Sequence, residues 1–243
     1  MDNTAKVSKE MKIGVFAYNF EHKKTQEYLL ELFLNDYDIS CILAADPIEL
    51  KFYQSEIRVS PKGLKYVHPK KIAEKLRIPY HITKHNSKEC EELIKKYELD
   101  LGIILGARIL EENIINSFKI GILNMHPALL PENRGLDNIK WAILRNFKQG
   151  VSCHLINKEV DKGKLIIKEE IDVYEDDTLV DIFLRIQNKE QKLMIESLRI
   201  LEKGKKDFEE VEKGNYFESV PENLEKTLFK KFEQYKKDYL NLK

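Results

Sequence analysis

Asn124 and His126 stand two residues apart at the end of an apolar run, Gly121-Ile122-Leu123-Asn124-Met125-His126-Pro127. Side chains of an extended chain alternate faces with a period of two, so the amide and the imidazole are expected on the same side. A neutral hydrogen-bond donor beside a ring that exchanges a proton near neutral pH is a working pair for acyl transfer, where an oxyanion develops and a proton must move. Asp161 follows in the turn Val160-Asp161-Lys162-Gly163. On a strand adjacent to the one carrying His126, its carboxylate would orient the imidazole and raise its basicity. The same residues also have a plainer account, with Asn124 capping a turn, His126 a hydrogen-bonded loop histidine and Asp161 an ordinary turn residue. His68, His81, His85 and His154 have no comparable company and are assigned to surface or core.

The elements that must position this set read as alternating β and α. Lys12–Tyr18, Ser40–Ala45, Tyr80–Thr83 and Leu101–Leu105 are apolar strand-like runs, separated by helical patterns over Tyr28–Phe33, Lys70–Leu76 and Glu91–Tyr97. Strands apolar on both faces and alternating with helices describe a parallel sheet covered by helices. Val151–Ile156 and Leu165–Val173 follow a helix marked by Leu136, Ile139, Ala142 and Ile143, and their short link predicts an antiparallel hairpin. Thr178 and Asp181 have capping-box spacing before a long helix ending near Leu201. The fold expected is α/β: a Rossmann-like, mostly parallel sheet flanked by helices, with a C-terminal hairpin and a short helical extension. Residues 1–10 are expected to be a poorly ordered extension, 11–203 the core and 204–243 a helical tail, with Pro47–Pro69 an irregular excursion. The amphipathic stretch from Glu222 to Tyr239 is expected either to pack on the core or to form a dimer interface.

Lys+Arg and Asp+Glu both number 41, and this balance argues against a dedicated nucleic-acid binder. The three cysteines form no CxxC pair, so neither a disulfide framework nor a zinc knuckle is supported, and no metal site is expected. With neither an apolar leader nor a run of membrane-spanning length, the cytoplasm is the expected compartment.

Asn-x-His-Pro-x-Leu-Leu-Pro from Asn124, then Arg134-Gly135, Trp141-Ala142-Ile143 and Val160-Asp161-Lys162-Gly163, resembles the formyltransferases that use 10-formyltetrahydrofolate. The likeness covers roughly Met11 to Leu201. It implies Asn124, His126 and Asp161 as the catalytic set. It also implies a folate site formed by the loop containing Gly106, Arg108, Ile109 and Leu110 and by a facing wall at Glu159 and Val160, with 10-formyltetrahydrofolate as one-carbon donor. Asn133, Arg134 and Lys140, which follow the catalytic loop, are expected near the acceptor, or else as solvated surface.

The acceptor is expected to be a small amine, most like the nucleotide-linked amino sugar of the sugar N-formyltransferases. The first βα turn, Tyr18-Asn19-Phe20-Glu21-His22, has no glycine with which to cradle a ribonucleotide phosphate. The segment after Lys206 is much shorter than the β-domain of methionyl-tRNA formyltransferases. Methionyl-tRNA or glycinamide ribonucleotide remain alternative acceptors. A formyltetrahydrofolate hydrolase and a non-catalytic folate-binding protein are further alternatives.

Overall fold

A computed structural model of the chain describes residues 11–49, 57–205 and 207–241. The expected N-terminal extension lies outside these residues, as does the middle of the expected excursion after Pro47. In chain order the elements are β1 (Ile13–Tyr18), α1 (Lys23–Leu34), β2 (Ile39–Ala45), α2 (Pro69–Leu76), β3 (Tyr80–Ile82), α3 (Lys88–Tyr97), β4 (Leu101–Ile104), α4 (Glu112–Ile115), β5 (Gly121–His126), β6 (Arg134–Gly135), α5 (Asn138–Arg145), β7 (Gly150–Ile156), β8 (Gly163–Glu170), α6 (Leu179–Glu202), β9 (Tyr216–Phe217), α7 (Glu222–Glu225) and α8 (Leu228–Asn241).

Seven strands form one sheet in the order β3-β2-β1-β4-β5-β7-β8, and β6 and β9 pair separately. The first five are mutually parallel, whereas β7 runs antiparallel to both β5 and β8. The expected Rossmann-like, mostly parallel sheet with an antiparallel hairpin is therefore what forms. Each face of the sheet has its own core. Tyr28, Leu29 and Leu32 of α1, Ile139 and Ile143 of α5, and the apolar side of α6 pack on one face together with Leu123, Met125 and Cys153. Cys90 and Ile94 of α3 with Ile114 and Ile115 of α4 cover the other, beside Phe16, Leu43 and Ile122. All three cysteines are buried thiols.

Local signals explain the helix ends. Thr178 accepts from the Asp181 amide while the Asp181 carboxylate accepts from the Thr178 amide, so the anticipated capping box starts α6. Ser87 caps α3 through the Cys90 amide, and Pro69 opens α2, where a missing N–H costs nothing. Leu136 falls outside α5 and is exposed, because that helix starts only at Asn138.

Beyond β9 the tail is two helices, with a break at Lys226-Thr227 where the Thr227 hydroxyl donates to the Leu224 carbonyl. Leu228, Phe232, Tyr235 and Tyr239 enter the same core as the sheet and α6. The Tyr235 and Tyr239 hydroxyls donate to the carbonyls of Phe147 and Ile171. These four side chains of the amphipathic face therefore pack on the core. Among the described residues no helix is long and apolar enough to cross a membrane.

Candidate active site

Strand β5 presents Leu123 and Met125 to the α6 side of the sheet, so Asn124 and His126 share the opposite face, as the period of two requires. A buried network braces this strand from behind. Lys24 of α1 donates to the Met125 carbonyl at 3.1 Å and pairs with Glu190 of α6 at 2.9 Å, and the Tyr28 hydroxyl donates to Glu190 at 2.6 Å. The backbone between the two candidate catalytic residues is thereby tied to two helices.

Register brings a fourth polar residue to the site. Asn124 lies directly opposite His154 on β7, and His126 opposite Ser152. The β7–β8 turn folds back over this face, so the Lys162 carbonyl lies 3.1 Å from His154 Nδ1 and Asp161 Oδ1 lies 3.3 Å from His126 Nδ1. Asp161 adopts a left-handed conformation with φ of 49°, one that Asp tolerates better than most side chains. Its second oxygen accepts from the Gly135 amide at 2.7 Å.

The two imidazoles are in opposite states. His126 Nε2 donates to the Asn133 carbonyl at 2.8 Å while Nδ1 faces the Asp161 carboxylate, so both ring nitrogens have acceptors and the site favours an imidazolium. Burial, the largest influence, opposes that charge. The Asp161 charge and hydrogen bond and the Asn133 carbonyl together outweigh it, raising the pKa of His126 above 6.5. Asp161 responds in kind: burial pushes its pKa up, but His126 and the Gly135 amide bring it below 3.8. His154, with no exposed surface, is pushed down to about 4 by burial and by the His126 charge. It is therefore neutral, with its Nδ1–H donated to Lys162 and the Nε2 lone pair 3.3 Å from the Asn124 amide nitrogen. Accepting from that NH₂ fixes which end of the Asn124 amide points which way.

Local sequence places His154 on the surface or in the core, and it is buried; the signal that identifies its partner is cross-strand register, not local pattern. Its titration makes a stability prediction. The unfolded chain protonates His154 near 6.5 and the folded chain only near 4, so its contribution is complete above pH 6.5 and declines as pH falls towards 4. Urea unfolding at pH 7.5 and pH 5 is expected to show a loss that His154→Gln reduces by about 2 kcal/mol. Equal losses in the two proteins would remove His154 as the titrating group.

The three residues expected beside an acceptor, or else as solvated surface, are all buried, so they are not solvated surface. Arg134 donates to the carbonyls of Val160 and Gly214. The Asn133 side chain donates to the Asn138 carbonyl. Lys140 pairs with Glu225 of α7 at 2.5 Å, each side chain only 3% exposed. The tail covers this region, which local sequence does not reveal. Lys140→Met leaves the Glu225 carboxylate buried without its ammonium partner and is expected to destabilise the fold by about 3–5 kcal/mol in urea titration. A Lys140→Met, Glu225→Leu pair should recover most of that loss.

Around the expected folate loop, the Ala107 and Ile109 carbonyls accept from Tyr18 and Asn86. The Ile109 side chain is 69% exposed, whereas that of Leu110 is in the core. The facing turn leaves Glu159 exposed in an ion pair with Lys162, and the Val160 carbonyl is held by Arg134. A broad cleft of about 550 Å³ opens beyond this loop at the carboxyl ends of β1, β2 and β3. Its floor includes Tyr18 and Phe20, stacked at 4.9 Å, with the Arg108 guanidinium over the Tyr18 ring.

A half-buried amide aligned by a neutral imidazole, next to an imidazolium–carboxylate pair at the end of a sheet strand, is equipped to stabilise an oxyanion. Residues 58–198 match the family model described as formyl transferase, and the chain belongs to that family. Among its relatives is the methionyl-tRNA formyltransferase of Sulfurihydrogenibium sp. (strain YO3AOP1), 36% identical over 124 residues, which are 50% of this chain and 40% of that protein. Among solved structures, phosphoribosylglycinamide formyltransferase from Anaplasma phagocytophilum superposes with a TM-score of 0.63 at 21% identity, covering 87% of this chain and all of that one. The formyltransferase PseJ from Anoxybacillus kamchatkensis, solved with UDP-4,6-dideoxy-4-formamido-L-AltNAc and tetrahydrofolate, gives a TM-score of 0.56 at 21% identity, covering 89% and 90%. At such identities the structural likeness establishes the shared fold. The chain spans about half the length of the curated relatives it matches.

Proposed function

We propose that this protein transfers the formyl group of 10-formyltetrahydrofolate to the amine of a nucleotide-linked amino sugar. The observation that carries formyl transfer is the pairing of an oriented Asn124 amide with the charged His126–Asp161 couple. The donor would lie between the Gly106–Leu110 loop and the Glu159–Val160 turn, with its formyl oxygen beside the Asn124 amide. The acceptor nitrogen attacks that carbon, the bond to folate N10 breaks, the amine loses a proton and N10 gains one. Asn124 donates to the oxygen that becomes the oxyanion, and the adjacent imidazolium stabilises the same charge. Because His126 Nε2 already donates to Asn133, the ring acts here through its charge rather than as a free base.

The cleft at β1–β3 supports the acceptor class. Continuing the observed registers, Tyr18, Gly106 and His126 fall in one row across β1, β4 and β5, with Ala45 and Thr83 further along. At about 4.8 Å per strand, the cleft lies roughly 10–19 Å from His126. An acceptor anchored there must be long, and a flat ring beside the Tyr18–Phe20 pair with phosphates near Arg108 and Lys84 fits that reach. The relatives named methionyl-tRNA formyltransferase favour a second reading, with methionyl-tRNA as acceptor.

Incubation with 10-formyltetrahydrofolate and a panel of amino-sugar nucleotides, methionyl-tRNA and glycinamide ribonucleotide separates these readings by tetrahydrofolate release. Release that requires an amino-sugar nucleotide is expected. Release that requires methionyl-tRNA would transfer the assignment to the second reading, and release without any acceptor would indicate hydrolysis.

A further inference from the structure

We infer that Arg134, held by the tail segment from Gly214 to Phe217, is a positioning residue that clasps the Asp161 turn against the sheet. The inference rests on the reading of Asp161 as part of a formyl-transfer site. Its basis is the peptide Arg134-Gly135, which grips that turn twice. The Arg134 guanidinium donates to the Val160 carbonyl through Nη2 at 2.7 Å and Nε at 3.2 Å, and the Gly135 amide donates to Asp161 Oδ2 at 2.7 Å. Arg134 Nη1 reaches the other way, to the Gly214 carbonyl at 3.2 Å. A planar guanidinium can bridge two carbonyls in fixed directions, which an ammonium cannot do.

The tail makes this peptide rigid. The amides of Arg134 and Leu136 donate to the carbonyls of Asn215 and Phe217, forming the β6–β9 pair. The approach is close enough to demand glycine at two places. A Cβ on Gly135, where φ is 101°, would lie 2.0 Å from the Phe217 carbonyl oxygen, and one on Gly214 would lie 1.7 Å from that of Pro131. Trp141 stacks on Phe217 at 4.7 Å and donates to the Glu218 carbonyl, securing the strand from α5. Asp161 thus faces His126 because a segment some eighty residues beyond β6 holds the peptide that holds it.

The test measures His126 directly. NMR titration of the imidazole, assigned with His126→Gln, is run on wild type, Arg134→Met, Arg134→Lys and Gly214→Ala, alongside far-UV circular dichroism and steady-state turnover. Arg134→Met is expected to titrate His126 at lower pH than wild type, because a loosened Asp161 no longer favours the charged ring. It should also lower kcat on the order of 10- to 100-fold with little change in the donor KM. Arg134→Lys, which keeps one contact, should restore part of both. Gly214→Ala keeps the Arg134 side chain but drives a Cβ into the Pro131 carbonyl, prising the tail from the loop before Arg134, and should move the His126 titration in the same direction. If Arg134→Met proves unfolded, Arg134→Lys and Gly214→Ala carry the test. A folded variant with the wild-type His126 titration overturns the clasp, as does a lysine variant no better than the methionine one. Because the titration needs no turnover, a wild-type protein without formyl transfer would sink the functional reading while leaving the clasp still measurable.

Discussion

Asn124→Ala is expected to lower kcat for formyl transfer by roughly 10²–10³-fold, equivalent to about 2.7–4 kcal/mol of lost oxyanion stabilisation. The size follows from preorganisation. His154 fixes the amide before the substrate arrives, so none of its orientation has to be achieved during the reaction. The change should spare the fold, since Asn124 is only half-buried and its strand is anchored through the Met125 carbonyl. Steady-state kinetics with saturating donor check this, and a kcat within a few-fold of wild type would take Asn124 out of the mechanism.

Asp161→Asn should be at least as damaging, with kcat reduced roughly 10²–10⁴-fold. A neutral amide keeps much of the shape but removes the charge that holds His126 protonated in a buried position. The substitution also has a stability signature whose sign can be worked out. His126, raised in the folded state, stabilises fully below pH 6.5 and loses its contribution as pH rises through its folded pKa. Asp161, lowered in the folded state, stabilises above 3.8 and loses its contribution as pH falls through its folded pKa. The stability deficit of Asp161→Asn is therefore expected to be greatest between about pH 3.8 and 6.5 and to shrink on either side. A deficit independent of pH would mean that the two groups are not an ion pair.

Much of this site is legible from local sequence, for identifiable reasons. Asn124 and His126 obey strand periodicity, Thr178 and Asp181 carry a capping spacing, and Asp161 sits in a recognisable turn. What is not legible depends on pairings between distant segments. His154 reads as a surface or core histidine because nothing near it in sequence gives it company, and only the β5–β7 register puts it opposite Asn124. Arg134 and Lys140 read as surface or substrate contacts because charged residues after a functional loop usually are. Their burial depends on Gly214 and Glu225, whose approach no local pattern announces. The split of the last amphipathic stretch into α7 and α8 is similar: its apolar period runs through the break, and no Pro or Gly marks it.

The pairing of β6 with β9 also bears on how the protein is made. A ribosome delivers the chain from its N-terminus at about 5–20 residues per second, so Phe217 emerges roughly 4–16 s after Gly135, its partner in the ladder. During that interval the parallel sheet, α1 and much of α6 can already assemble, while Arg134 lacks the Gly214 carbonyl and Lys140 lacks Glu225. Nascent chains halted between β8 and β9 would thus hold a folded sheet around an unfinished centre. Competence to react would arrive as a late event of synthesis, separated in time from the folding of the domain that carries it.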